Sequence, residues 1–193
     1  MGRGQLRLIE GSSRPGGEPR SSQGDRRKLV PSSPAGLARP QLTYGVEPFI
    51  DIARELPPLL AGHWTELEAD GFGLPLNPDW DLMFDMAQLG RLHVNTARFG
   101  KALVGYIFNF VLPHIYTKDL LQGQIHLFYL HPSYRGEPWF VVEWFQANDQ
   151  FLKGLGCRKI YAMTKAGFRD GKAGAIFKRL GYTKVEDVWA RMT

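Results

Sequence analysis

A helix lying between two short apolar segments is the feature that most constrains the fold of this chain. From residue 141 the apolar side chains recur at helical spacing, and only Asn148 interrupts them before Gly156. Residues 124–130 and 160–164, on either side, have the composition of buried strands. A strand, a helix of about four turns and a second strand form a βαβ unit. We therefore expect these two strands to be parallel in one sheet.

Further elements are predicted before and after this unit. A helix is expected over residues 50–67, its main part starting near Glu55 because Pro57 and Pro58 suit a first turn. A second helix covers residues 80–89. Residues 92–99 and 102–111 flank a two-residue Gly-Lys turn and predict a β-hairpin. Residues 124–130 are expected at the centre of the sheet. A last helix over residues 173–180 ends at Gly181, and a strand is expected over residues 183–192.

The excess positive charge lies in the N-terminal segment. Residues 1–40 contain eight Arg or Lys and three acidic residues, whereas residues 41–193 contain sixteen of each. The first 40 residues include no aromatic side chain, so they cannot bury enough apolar surface to offset the entropy lost on ordering. We predict a disordered basic arm over residues 1–43 and one folded domain over residues 44–193. The arm is expected to be a solvated extension, and nucleic acid binding through it is the less favoured alternative.

Several classes of protein are excluded by composition. A single cysteine, Cys157, rules out an internal disulfide and a cysteine-rich zinc site, and favours a reducing compartment. We expect Cys157 to be a buried apolar residue. The five histidines lack metal-site spacing, so no metal is expected. No segment approaches the roughly 18 apolar residues of a membrane helix, and no apolar stretch follows the first arginines. A cytoplasmic protein without membrane contact is predicted.

Three stretches of the sequence resemble the GNAT superfamily of N-acetyltransferases. LHVNTARFGKALVGYIFNFV (residues 92–111) is similar to the second and third strands of that family with their Gly-Lys turn. LFYLHPSYRG (127–136) resembles the fourth strand running into the acetyl-CoA pyrophosphate loop. AIFKRLGYTKVEDVW (175–189) resembles the fourth helix and the strand after it. The sequence around PHIY and HPSYRG is most similar to GNAT proteins that bacteriophages carry, which implies a host cytoplasm.

The resemblance implies a fold, an activity and a set of site residues. The fold is α/β of mixed α+β character, with a central, mostly antiparallel sheet, one parallel pair splayed at the cofactor site, and helices on both faces. The activity is acetyl transfer from acetyl-CoA to a primary amine of a small molecule or protein. A Gly-containing loop at a helix N-terminus suits a pyrophosphate. The predicted cofactor-binding residues are Tyr129, Leu130, Arg135, Gly136, Glu137, Trp139 and Phe140. A host protein and a second copy of the chain are further candidate partners.

The loop departs from the Arg/Gln-x-x-Gly-x-Gly/Ala pattern of the family. Pro138 has no N–H, Glu137 adds a negative charge, and Trp139 or Phe140 stands where a close backbone approach favours glycine. In addition, Phe177 replaces a tyrosine that often acts as general acid in the family. These departures support an alternative: a catalytically inactive GNAT fold that binds a host or partner protein through a displayed Trp139.

His126 is the candidate general base. Strict alternation along the strand places it on one face with Gln124, Phe128 and Leu130, as the only titratable group there. An unperturbed imidazole, with a pKa of about 6.5, suits deprotonation of an amine through water. The alternative is a hydrogen-bonded structural histidine. The remaining candidates have other expectations: His63 and His131 are structural, and His114 and Tyr116 either line an acceptor pocket or cover a sheet edge.

Overall fold

Five strands form one mixed sheet whose spatial order follows the chain order. The computed structural model describes residues 41–68, 74–136, 138–165, 172–186 and 191. The strands are β1 (Leu42–Glu47), β2 (Leu92–Phe99), β3 (Ala102–His114), β4 (Thr117–Leu130) and β5 (Cys157–Ala162). Neighbours from β1 to β4 are antiparallel, and β4 and β5 are parallel. The predicted hairpin and parallel pair are confirmed.

The helices agree with the apolar periodicity of the sequence. They are α1 (Phe49–Ile52), α2 (Leu56–His63), α3 (Trp80–Gln88), α4 (Pro138–Gly154) and α5 (Lys172–Arg179). A π-helical turn, Trp64–Glu68, continues α2, and a 3-10 turn, Pro132–Tyr134, follows β4. The start of α2 directly after Glu55 is as predicted. α4 begins three residues before the predicted start, because Pro138 fits its first turn. None of the described helices is long and apolar enough to span a membrane.

Helices cover both faces of the sheet, as predicted. The α2 face is covered by α1, α2 and α3, where Ile52 and Leu56 pack with Tyr106 and Phe108 from β3. The α4 face is covered by α4 and α5, where Trp144, Leu152 and Phe177 pack on Ile125 of β4. The domain therefore has a mixed α/β architecture with two apolar layers, one on each side of the sheet.

Buried amide groups fix the position of α4 on the sheet. Asn109 of β3 and Asn148 of α4 exchange two side-chain hydrogen bonds, of 2.8 and 2.9 Å, and both residues are fully buried. One turn earlier, the indole N–H of Trp144 donates to Oδ1 of the buried Asn95 at 2.9 Å. Asn148, the polar residue that interrupts the apolar stripe of α4, thus makes a specific contact with the sheet. Because a buried amide needs its partner, these contacts define the register of α4.

Several predicted boundaries differ from the structure, and one difference is that β5 spans Cys157–Ala162 rather than residues 160–164. Leu42 and Thr43, which we assigned to the arm, are the first residues of β1, a strand that we did not predict. β4 begins at Thr117 rather than at residue 124, and it lies beside the central strand β3. Residues 183–186 form no strand, so the prediction of a C-terminal strand is wrong there. Its residues 187–190 and 192, like residues 1–40 of the predicted arm, lie outside the described residues.

An ion-pair network holds β1 against β2 and α2. The Arg98 guanidinium donates to both carboxylate oxygens of Glu47, at 2.7 and 2.8 Å, and to Glu55 at 2.9 and 3.1 Å. These hydrogen bonds hold the pKa of each carboxyl below its usual range. The network joins the N-terminal strand to the helical layer on the α2 face.

Candidate functional site

β4 continues past the end of its pairing with β5. The last described pair of the two parallel strands is Ile125 with Ala162, followed by a hydrogen bond from Met163 N to the Ile125 carbonyl at 3.2 Å. β4 extends for residues 126–130 beyond this point, while β5 has ended. Among the described residues, no strand pairs with residues 126–130 of β4 on the β5 side, and we call this unpaired strand edge the opening. Backbone groups at a strand edge can bind an extended ligand.

A β-bulge lies at the start of this opening. Asn109 pairs with Ile125 and Phe108 pairs with Leu127, so His126 is the extra residue of β4. The bulge shifts the alternation: Phe128 and Leu130 join Ile125 on the α4 face. The prediction that His126 shares their face is wrong, because strict alternation cannot account for an inserted residue. The exposed His126 ring instead lies 4.8 Å from that of Phe110, which packs on the α2 face.

The guanidinium of Arg135 is bound by the chain itself. Its Nε donates to the Leu130 carbonyl at 2.6 Å, Nη2 donates to Oε2 of Glu66 at 2.7 Å, and Nη1 donates to Oε1 of Glu66. The two side chains are each 22% exposed. A guanidinium has five N–H groups, so two remain for a further acceptor beside the three in these bonds. The sequence did not predict Glu66 as a site residue, because an ion-pair partner 69 residues away produces no local sequence pattern.

The two bulky side chains at the start of α4 point in different directions. Trp139 is 61% exposed, and the Arg179 guanidinium lies over its ring at 4.3 Å. Phe140 is buried against Tyr44 and Trp144, with ring centroids 5.7 and 5.9 Å away. An added Cβ on Gly136 would meet no atom within 4 Å, so there is space beside the loop backbone. Glu137 lies outside the described residues.

The N-terminus of α4 carries backbone N–H donors. The first four N–H groups of a helix have no partner within the helix. Here Pro138 supplies none, which leaves those of residues 139–141. The helix dipole favours an anion at this end. The arrangement can receive negatively charged oxygens, with one donor fewer than a loop without proline provides.

A buried aromatic stack supports the end of β4 from the α2 face. The Arg135 guanidinium lies over the Tyr129 ring, 5.2 Å from its centroid, and the ring of His63 stacks on Tyr129 at 5.2 Å and 11°. His63 Nδ1 and the Tyr106 hydroxyl are 2.5 Å apart, within hydrogen-bond distance. The structural role expected for His63 agrees with this burial. The Tyr129 side chain packs towards α2, so contact with a ligand in the opening would involve its backbone.

Phe177, which stands where the resembled family often has a tyrosine, is part of the hydrophobic core. Phe177 is buried and packs on Phe128 and Phe145, with centroids 5.9 and 5.3 Å away. The nearby Tyr182 donates its hydroxyl to Asp149 at 2.5 Å. Burial is the main cause that raises the pKa of both Tyr182 and Asp149. The Tyr182 hydroxyl therefore already has an acceptor in the protein.

The remaining candidates lie away from the opening or have structural contacts. His114 and Tyr116 form the tip of the β3–β4 hairpin, where Tyr116 is 90% exposed. From Thr117 to His126 β4 advances nine residues, or about 30 Å at roughly 3.3 Å per residue, so the tip is remote from His126. His131 Nδ1 accepts from Ser133 N at 3.3 Å. Burial raises the pKa of the Cys157 thiol. Among described residues, no three His, Cys, Asp or Glu side chains are grouped as metal ligands.

Known acetyltransferases have structures similar to this one. No family model matches the sequence, and no curated protein matches it. A ribosomal-protein-alanine N-acetyltransferase from Brucella melitensis biovar Abortus 2308 is 18% identical, with a TM-score of 0.60 over 79% of this chain and 99% of that chain. A predicted acetyltransferase with acetyl-CoA from Clostridium acetobutylicum is 16% identical, with a TM-score of 0.56 over 79% and 96%.

A third similar structure contains a bisubstrate analog. AAC(6')-Iy in complex with the bisubstrate analog CoA-S-monomethyl-acetylneamine is 16% identical, with a TM-score of 0.52 over 79% of this chain and 98% of that chain. At these identities the likeness concerns the fold. A five-stranded mixed sheet with one parallel pair and helices on both faces, shared with these proteins, gives this chain the fold of the GNAT acetyltransferases.

Proposed function

We propose that the protein is an acetyl-CoA-dependent N-acetyltransferase that acts on a primary amine of a small molecule or protein. The observation that carries this proposal is the opening beside β4. The pairing with β5 ends at Ile125, and the loop at Arg135 and the N-terminus of α4 follow the same end of β4. If the thioester of acetyl-CoA lies between these strands, the pyrophosphate of the same molecule lies near the loop. A cytoplasmic location, in a host if the protein is phage-encoded, would provide acetyl-CoA.

The chain offers separate groups for the two ends of the donor substrate. For the pyrophosphate there are the N–H groups of residues 139–141, the open space at Gly136, and two guanidinium N–H groups of Arg135. For the acyl end there are backbone groups of β4 beyond Ile125. One well-placed backbone donor on a developing oxyanion contributes about 3 kcal/mol to catalysis. These residues fit the substrate despite the loss of one donor at Pro138.

His126 is the proposed base because it follows Ile125, the last residue of β4 that pairs with β5. The imidazole would accept a proton from the attacking amine, directly or through water. The amine nitrogen then forms a bond to the carbonyl carbon as the carbon–sulfur bond breaks, and the thiolate leaves. Because Phe177 cannot donate a proton, we assign protonation of this thiolate to solvent. No covalent enzyme intermediate is required.

Acetyl-CoA is expected to stabilise the full chain against heat. At 100 times its Kd a ligand adds about 2.7 kcal/mol of stability, which corresponds to a rise of about 5–10 °C in Tm for a domain of this size. Thermal unfolding followed by circular dichroism, with and without millimolar acetyl-CoA, measures the shift. Acetylpantetheine, which lacks the nucleotide, should give a smaller shift. An unchanged Tm with acetyl-CoA would overturn the proposal.

A catalytically inactive binding module is the second candidate function. The observation in its favour is the 61% exposure of Trp139, which a host or partner protein could bury. Trp139→Ala separates the two functions. If the protein is an enzyme, the variant should still show the shift in Tm with acetyl-CoA. If it is a binding module, acetyl-CoA should leave the Tm of the wild type unchanged, and Trp139→Ala should reduce capture of the partner.

A further inference from the structure

A bidentate ion pair joins the loop after β4 to the end of α2. Both carboxylate oxygens of Glu66 accept from Arg135, in the fork geometry that makes such pairs strong and directional. The Nε of the same guanidinium donates to the Leu130 carbonyl, at the last residue of β4. Arg135 therefore connects three parts of the domain: the end of β4, the loop, and the π-helical turn that follows α2.

Glu66 lies in an irregular part of its helix. α2 ends at His63 and continues as the π-helical turn Trp64–Glu68, a rare geometry often found at functional sites. His63 and Glu66, three residues apart, both contact the end of β4: His63 stacks on Tyr129, and Glu66 binds the guanidinium that covers the same ring. One contact from α2 and one from the π-helical turn after it thus hold one strand end and the loop that follows it.

We propose that Glu66 is a positioning residue for acyl-donor binding, acting through Arg135 on the loop at the start of α4. This inference rests on the proposed function. The ion pair fixes the guanidinium so that its two remaining N–H groups and the loop backbone are preorganised, which lowers the cost of binding. Without the Glu66 carboxylate, the loop and Arg135 become ordered only when the donor binds. The Kd for acetyl-CoA then rises, while turnover at saturation changes little because Glu66 does not touch the reacting atoms.

The test compares Glu66→Gln with a matched control, Glu47→Gln. Glu47 also binds an arginine through both carboxylate oxygens, and its side chain is 27% exposed, close to the 22% of Glu66. Its partner Arg98 lies in β2 rather than in the loop. We expect Glu66→Gln to raise the Kd for acetyl-CoA, measured by calorimetry, about 10-fold, with kcat within about twofold of wild type. Glu47→Gln should lower the Tm of the unliganded chain and leave the Kd unchanged.

A double-mutant cycle and hydrogen exchange complete the test. If Glu66 acts through Arg135, then Glu66→Gln should have little further effect on the Kd in an Arg135→Gln background. Amide exchange in residues 131–136 should be faster in Glu66→Gln than in Glu47→Gln. A wild-type Kd in Glu66→Gln overturns the positioning role alone, as does additivity of the two variants. A wild-type chain that does not bind acetyl-CoA overturns the proposed function, and the positioning role with it.

Discussion

His126→Ala is expected to lower kcat for amine acetylation about 100-fold, with little change in the Kd for acetyl-CoA. A positioned general base typically contributes 10²- to 10⁴-fold. His126 is the extra residue of the β4 bulge, directly after the last described pair with β5, where the proposed thioester would lie. Initial rates of thiol release measure the effect. The acceptors are primary amines of a small molecule and of a peptide, the two classes included in the proposed function.

The pH dependence of kcat distinguishes a base from a structural histidine. A base loses its function when protonated, so the wild-type rate should fall on the acid side and the His126→Ala rate should lack that limb. His93→Gln is the control. His93 lies in β2, and its Nε2 hydrogen-bonds the Gly90 carbonyl at 2.9 Å, away from the opening. Equal rates for His126→Ala and wild type, or the same acid limb in both, would show that another group or water is the base.

The parts of the fold that could be predicted are those with a local periodic signal. The parallel β4–β5 pair follows from one amphipathic helix between two apolar segments, and Gly100 and Gly181, both with positive φ, mark the predicted turn and helix end. β1 was not predicted from the sequence because exposed and half-buried residues do not alternate regularly along it. The extension of β4 before residue 124 was missed because residues 117–119 are exposed and polar.

The candidate site was less predictable because its geometry depends on long-range contacts. Alternation along β4 gave the wrong face for Phe128 and Leu130, since the bulge at His126 is visible only through pairing with β3. The sequence indicated Arg135 as an anion ligand, yet the three hydrogen bonds that its guanidinium donates within the described residues are to Glu66 and to the end of β4. Periodicity identified Asn148 as an exception on its helix, and only the packed sheet explains it through Asn109.

Asn148→Leu is expected to destabilise the domain by about 2–4 kcal/mol. The variant removes two buried hydrogen bonds and leaves the fully buried amide of Asn109 without its partner on α4. A buried polar group left unsatisfied costs about 1–3 kcal/mol, in addition to the net value of the lost bonds. The two remaining hydrogen bonds of Asn109, to the His93 and Ile107 carbonyls, are both long, at 3.4 Å, so they compensate little. Urea unfolding followed by circular dichroism measures the change.

The double variant Asn109→Leu with Asn148→Leu isolates the cause. If the cost arises from an orphaned amide, then removing both partners should recover at least about 1 kcal/mol relative to Asn148→Leu, because apolar groups can replace a hydrogen-bonded pair with little loss. Asn148→Asp provides a further comparison, since it keeps the shape and one acceptor but buries a charge, and it should be at least as destabilising as Asn148→Leu. A double variant that is less stable than Asn148→Leu by the full cost of a second core substitution would contradict this account. The Asn pair would then contribute through packing volume, and α4 would be held on the sheet mainly by Trp144 and its apolar neighbours.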